Sequence, residues 1–246
     1  MARRRFFVDW VANGAAELTG EDARHLALVL RAEPGQRYEV SDNHAAYLAE
    51  ITSVTRNKVG FRILEDLPGE GIVVPVTLVL SLIKFDRLEW IIEKATELGV
   101  ARILLAEAGR SEKGLLAASV KRIERWRRIL REAGQQSRRV SLPEITGARP
   151  LGEVLASPFP SGAYLDERPG ATPLLTHAVR SRCSEMSIAV GPEGGWTEAD
   201  LEILTRHGWV PLSLGPGILR TETAAIAAIA VLAHGIWAQS APPPIR

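Results

Sequence analysis

The chain has 246 residues, with 30 lysines and arginines against 29 aspartates and glutamates, for a formal charge of +1. Its 46% hydrophobic and 24% charged content, with a single cysteine at Cys183, excludes a disordered, collagen-like or disulfide-stapled protein. The longest apolar run, Ala224 to Ala233, stops at His234 and falls short of the roughly 20 residues of a membrane span. The basic start is interrupted by Asp9 and Asn13 before an apolar core can form, so a soluble, cytoplasmic chain in a reducing compartment is expected.

The first seventy residues read as β structure behind one short helix. The helix is predicted over Thr19–Arg31, with His25, Leu26, Val29 and Leu30 sharing a stripe. Tyr38 and Val40, then Tyr47, Ala49 and Ile51, then Val59, Phe61 and Ile63 alternate with polar neighbours. Turn-like residues separate the runs, which predicts three or four antiparallel strands with one buried face. Leu67-Pro68-Gly69-Glu70-Gly71 then breaks the pattern. A domain over 1–70 and a second over 73–240 follow from that break.

The second domain alternates strands with helices. Val76–Leu82 is a continuous apolar run, as a strand buried on both faces requires. A helix follows from Asp86, with Asp86 and Glu89 spaced as a capping box, a stripe of Leu88, Ile91, Ile92, Ala95 and Leu98, and Gly99 closing it. Ile103–Ala106 is the next strand. Ser119–Ala133 is a helix whose Val120, Ile123, Trp126 and Leu130 face inward. Short strands are expected at Ala163–Leu165, Ile188–Val190 and Val210–Leu214. Helices are expected at Pro173–Arg182, at Thr197–His207 capped by Thr197 and Asp200, and at Thr223–Gln239. The alternation predicts a parallel sheet covered on both sides.

Charge is unevenly spread. Lys121 to Arg139 holds eight basic and two acidic residues, and Arg3, Arg4 and Arg5 form a smaller cluster. Such patches suit a polyanion, through release of its counterions. A solvated helix face is the alternative.

Two loops concentrate the chemistry: GPEGGW, Gly191–Trp196, after the strand SIAV, and LGPGILRTETA, Leu214–Ala224, after VPLS. Open parallel sheets bind ligands at the carboxyl ends of their strands, where these loops lie. No GxxxxGK[ST] occurs, no GxGxxG follows the first α/β strand, and each loop carries an acid, Glu193 or Glu222, that would repel a phosphate. A ligand with an adenine, a ribose and a positive centre fits better, as in S-adenosylmethionine. Plain β-to-α turns are the alternative.

Taken together, RRFF, HLALVLRAEPGQ (25–36), KFDRLEWIIEKATELGV (84–100), GQQSRR (134–139), GPEGGW and LGPGILRTETA resemble the RsmE family. That family, within the SPOUT superfamily, methylates N3 of a uridine in 16S ribosomal RNA of the small subunit. The resemblance implies an α/β fold: a PUA-like, RNA-binding β-barrel followed by a parallel-sheet methyltransferase domain with a trefoil knot. It also implies a homodimer, and a bent S-adenosylmethionine held around Leu165, Gly191, Glu193, Gly195, Leu214, Gly215, Ile218, Leu219, Thr223 and Ala224. No metal is expected, since the five histidines lack close ligand spacing and the cysteine is alone. RNA contacts carry over to Arg4, Arg5, Arg138 and Arg139, with Phe6 or Phe7 either stacking on a base or filling the strand core. Gly217 stands where the family usually has arginine, and Gly109-Arg110-Ser111 where it has Glu-Arg-Ser.

Methyl transfer to uridine N3 leaves a proton to remove and an imide anion to stabilise. Arg220 is the candidate for the anion, Glu222 for base or orienter, and Thr221 for a hydrogen bond to either. Glu222 as a helix-capping acid, Arg220 paired to Glu222, and Trp196 as core rather than adenine platform are the structural alternatives. The rival functions are a knotted methyltransferase acting on another RNA, such as a tRNA ribose, and a non-catalytic RNA-binding assembly factor.

Overall fold

The computed structural model describes residues 5–68, 74–181 and 185–240. Arg4, Cys183 and the glycines of the 67–71 break lie outside them. The chain forms two units: residues 1–72 with 131–142, and residues 73–130 with 143–246.

In the first unit, β1 (Arg5–Phe7), β2 (Trp10–Ala12), β3 (Ala15–Thr19), β4 (Arg37–Ser41), β5 (Ala46–Thr55) and β6 (Lys58–Leu67) form one sheet in the order β1-β4-β5-β6-β3-β2. Only β1 and β4 run parallel. Phe6, Leu18, Val40, Ile51, Val59 and Phe61 are buried on its inner face. β2 and β3 were not anticipated, because strands of three to five residues are too short to display an alternation.

The expected helix over 19–31 is a correction. α1 (Gly20–Arg24) passes into a π-helical turn, His25–Val29, with the Leu30 amide bonded to the His25 carbonyl at 3.0 Å. The wider turn moves side chains off the helical stripe. Leu26 is buried while Val29 and Leu30 are exposed.

Residues 131–142 are tied to this unit by specific bonds. Arg131 donates to the Phe7 carbonyl at 2.9 Å, and Gln135 to Asp22 at 2.9 Å. Ser41 donates to the Val140 carbonyl, and the Leu142 amide to Asn43, both at 2.6 Å.

The second unit holds a seven-stranded, wholly parallel sheet. Its elements begin with β7 (Val74–Ser81), α2 (Phe85–Glu97), β8 (Val100–Glu107), α3 (Leu115–Ser119), α4 (Ile123–Gln136, of which residues 131–136 belong to the first unit), β9 (Glu144–Pro150) and α5 (Leu151–Leu155). They continue with β10 (Gly162–Leu165), β11 (Thr172–Pro173), α6 (Leu174–Ser181), β12 (Met186–Val190), α7 (Glu198–Arg206), β13 (Val210–Ser213) and α8 (Thr221–Ser240). The strand order is β11-β13-β10-β12-β7-β8-β9. Successive residues feed opposite cores: Leu78 and Leu80 pack with Leu88, Ile92, Trp126 and Ile229, whereas Val79 packs with Leu151, Trp196 and Leu204. A strand covered on both faces has no solvent side, hence a run without charges in which only Thr77 and Ser81, both buried, are polar.

Three local readings need correction. α2 begins at Phe85, Lys84 is its N-cap, and no side chain caps it. Asp86 lies in the first turn, and Glu89 accepts from Arg125 at 2.8 Å instead of bonding back. The helix expected from Ser119 is interrupted by a 3₁₀ turn over Val120–Arg122, which leaves Val120 exposed while Trp126 and Leu130 stay buried. α8 begins at Thr221, so Thr221 and Glu222 belong to its first turn. The Thr197–Asp200 capping box is present, with the Asp200 amide 3.1 Å from Thr197 Oγ1.

Candidate functional site

The carboxyl ends of β10, β12 and β13 surround a cavity of about 460 Å³. Leu165, Asp166 and Glu167 line it from β10, and Val190, Gly191, Glu193, Gly195 and Trp196 from β12. The segment after β13 supplies Leu214, Gly215, Gly217, Ile218, Leu219 and Arg220, and α8 supplies Thr221 and Ala224. The two loops singled out from the sequence therefore share one cavity. Trp196 is buried and donates from Nε1 to the Leu165 carbonyl at 2.9 Å, so it is both core and cavity wall.

Geometry favours glycine at 191 and 195. A Cβ on Gly191 would lie 3.1 Å from the Trp196 ring, and Gly195 has φ +72°, a conformation that side chains disfavour. Arg110 fixes the same loop by donating to the Gly194 carbonyl at 2.6 Å.

Gly109, the departure from the family pattern, serves the α7 cap. Its amide donates to both oxygens of Asp200 at 3.0 and 3.1 Å. A Cβ there would meet Thr197 Cγ2 and Oγ1 at 2.8 Å. Gly109→Ala therefore displaces Thr197 from its cap, and urea denaturation should show a loss of about 1–3 kcal/mol.

Of the proposed chemical residues, Arg220 is exposed on the cavity lining and Thr221 is buried beside it. Glu222 and Thr223 do not line the cavity. Glu222 occupies the first turn of α8, where an acid complements the helix dipole, and its Oε2 is buried without a hydrogen-bond partner among the described residues. This place in the first turn of α8 agrees with the alternative of a helix-capping acid. Among the described residues no ion pair joins Arg220 to Glu222.

Three charged lining residues escaped the sequence reading: Arg87, Asp166 and Glu167. Asp166 and Glu167 directly follow β10, where the strand-end rule could have found them. Asp166 accepts from the Arg168 amide at 3.0 Å and from Nη2 at 2.8 Å. Burial favours the neutral acid, but the bonds and charge of Arg168 outweigh it and hold the Asp166 carboxyl below the usual carboxylate range. Arg87, in the first turn of α2, pairs with Glu193.

Of the residues expected to contact RNA, Arg5, Arg138 and Arg139 all make bonds within the first unit. Arg5 is 4% exposed, with Nη2 on Glu39 at 3.0 Å and Nη1 on the Arg138 carbonyl at 2.6 Å. Arg138 also binds Glu39, with Nε at 3.1 Å. Arg139 is buried, donates to the Ser141 carbonyl at 2.7 Å, and has its pKa lowered by burial to about 10. Arg5 and Arg138 converge on Glu39 and so link residues 131–142 to the sheet, and Phe6 and Phe7 are core. On the basic helix, Arg122 and Arg125 face Glu89, and Arg127 faces Glu124. Among the described residues no group of His, Cys, Asp and Glu suits a metal, and no helix is long and apolar enough to cross a membrane.

The RNA methyltransferase domain model matches residues 71–233, and the RNA methyltransferase PUA domain model matches residues 18–64. The chain is 32% identical to ribosomal RNA small subunit methyltransferase E of Bacillus subtilis, over 94% of this chain and 96% of that one. It is 32% identical to the protein of the same name from Mycobacterium bovis, over 93% and 90% of the two chains. Among solved structures, ribosomal RNA small subunit methyltransferase E of Neisseria gonorrhoeae bound to S-adenosyl methionine superposes with a TM-score of 0.84 at 27% identity, covering 94% and 97%. A Legionella pneumophila methyltransferase in complex with SAM superposes equally well, at 0.84 and 27%. With a domain model spanning most of its length and relatives aligned nearly end to end, the chain belongs to the ribosomal RNA small subunit methyltransferase E family of RNA methyltransferases.

Proposed function

We propose that the chain transfers a methyl group from S-adenosylmethionine to N3 of a uridine in 16S ribosomal RNA of the small subunit. The observation that carries this reading is the convergence of GPEGGW and LGPGILRTETA on one cavity at the ends of β10, β12 and β13. Its volume suits a small-molecule ligand. Leu165, Val190 and Leu214 offer apolar surface to an adenine, and Asp166, Glu167 and Glu193 offer acceptors to hydroxyls and cationic groups. When bound, the donor supplies a sulfonium-activated methyl for in-line displacement.

The protein has to align the base with that methyl and manage one proton. Arg220 stands on the lining, where its guanidinium faces the charge that develops on the uracil carbonyl oxygens. Asp166 is committed to Arg168 and Glu193 to Arg87. Glu167 is the lining carboxylate that no arginine holds among the described residues, and it takes the proton-accepting role in place of Glu222. Following the resemblance, the second domain carries a trefoil knot and two copies pair to complete the site; no metal takes part, and the chain works in the cytoplasm.

The test is to incubate the protein with labelled donor and unmethylated small subunits, digest the RNA, and identify the product nucleoside by mass spectrometry. The expected product is 3-methyluridine. A methylated ribose would support the rival RNA substrate instead. Absence of saturable S-adenosylmethionine binding would support a non-catalytic assembly factor.

A further inference from the structure

The Arg87–Glu193 pair is poorly explained by stability. The partners stand 106 residues apart, one in the first turn of α2 and one in the loop after β12, with side chains 36% and 45% exposed. Exposed pairs contribute little to folding, and Arg110 already holds this loop through the Gly194 carbonyl. Both partners line the cavity. Their contact engages Nη1 of Arg87 and Oε1 of Glu193, which leaves further guanidinium donors and a second carboxylate oxygen on the same wall.

A cation and an anion held side by side are complementary to a zwitterion. Arg87 alone would attract a phosphate, but Glu193 beside it opposes one. Arg87 alone would also repel a sulfonium, and Glu193 offsets that. The donor proposed above carries one group of matching character, its amino-acid end, with a carboxylate and an ammonium on the same carbon.

We propose that Arg87 and Glu193 form the subsite for that end, Arg87 taking the α-carboxylate and Glu193 the α-ammonium. The inference rests on the function proposed above. The other charged groups on the lining leave this role open: Asp166 is occupied by Arg168, while Glu167 and Arg220 are assigned to the base. A guanidinium fork matches a carboxylate in two parallel bonds, which an ammonium cannot reproduce.

Calorimetry on the full chain tests this with two probes. S-adenosylhomocysteine keeps the amino-acid end, whereas 5′-methylthioadenosine keeps only adenine, ribose and a methylthio group. Arg87→Gln should weaken S-adenosylhomocysteine binding about tenfold or more, as loss of a charged hydrogen bond implies. The same variant should leave 5′-methylthioadenosine within about twofold, which also shows that the cavity is folded. Arg87→Lys should fall between wild type and Arg87→Gln. Equal weakening of both probes, or no change in either, overturns the subsite. Failure of the wild type to bind either probe overturns the proposed function itself, and the subsite with it.

Discussion

Arg220→Ala lowers the turnover number by about 10²–10³-fold, the usual effect of removing one preorganised electrostatic group, while the folded state and S-adenosylhomocysteine binding persist. Arg220 is exposed at the cavity, and among the described residues it makes no ion pair with Glu222. Removing its side chain leaves no void in the core and breaks no structural bridge described above. On the proposed mechanism, what is lost is a positive charge opposite the imide that forms as N3 gives up its proton. Because that charge exists only as the reaction proceeds, the loss falls on kcat and not on KM. Single-turnover rates on unmethylated small subunits, measured beside calorimetry of the same variant, provide the check. Turnover within a few-fold of wild type would remove Arg220 from the chemistry.

Glu39→Ala costs about 3–5 kcal/mol of stability, the range for removing one partner of a buried ion pair. Arg5 is 4% exposed and Glu39 8%, and Arg138 shares the same carboxylate. Without Glu39, the Arg5 guanidinium remains in the interior with the Arg138 carbonyl but no counter-charge. A double variant, Arg5→Met with Glu39→Leu, should recover most of the loss, since exchanging a whole buried pair for apolar groups is often neutral. Urea denaturation of the single and double variants measures both. A single variant as stable as wild type would show that the guanidinium reaches water, and would reopen Arg5 as a contact for RNA.

Legibility followed the range of the interactions. The parallel strands showed in the sequence because burial on both faces excludes charged residues and leaves mostly apolar ones, as in Val76–Leu82, where only the small Thr77 and Ser81 are polar and both are buried. Thr197 and Asp200 were legible as a cap because both members lie within one turn. Asp86 and Glu89 have the same spacing but do not form a cap, because the helix starts one residue before Asp86, with Lys84 at the N-cap, and Glu89 accepts from Arg125, 36 residues away. The cavity loops were legible through their glycines and their places at strand ends. Arg87 was not, since its meaning comes from Glu193, 106 residues later. Arg5, Arg138 and Arg139 read as surface cations for a related reason: a lone string of arginines hides whether a distant carboxylate such as Glu39 waits for it. The return of residues 131–142 to the first unit left no local trace, because only tertiary bonds to Phe7, Asp22, Ser41 and Asn43 define it.

That return sets the timetable of synthesis. Nascent domains generally fold in order as they leave the ribosome, yet the opening seventy-two residues lack their last structural strip until residue 142 has been made. At about 5–20 residues per second, the intervening seventy residues take roughly 4–14 s. Throughout that interval Asp22, Ser41 and Asn43 wait without the groups they bind in the finished protein, and Glu39 waits without Arg138. A gene truncated after codon 72 would leave them in that condition permanently.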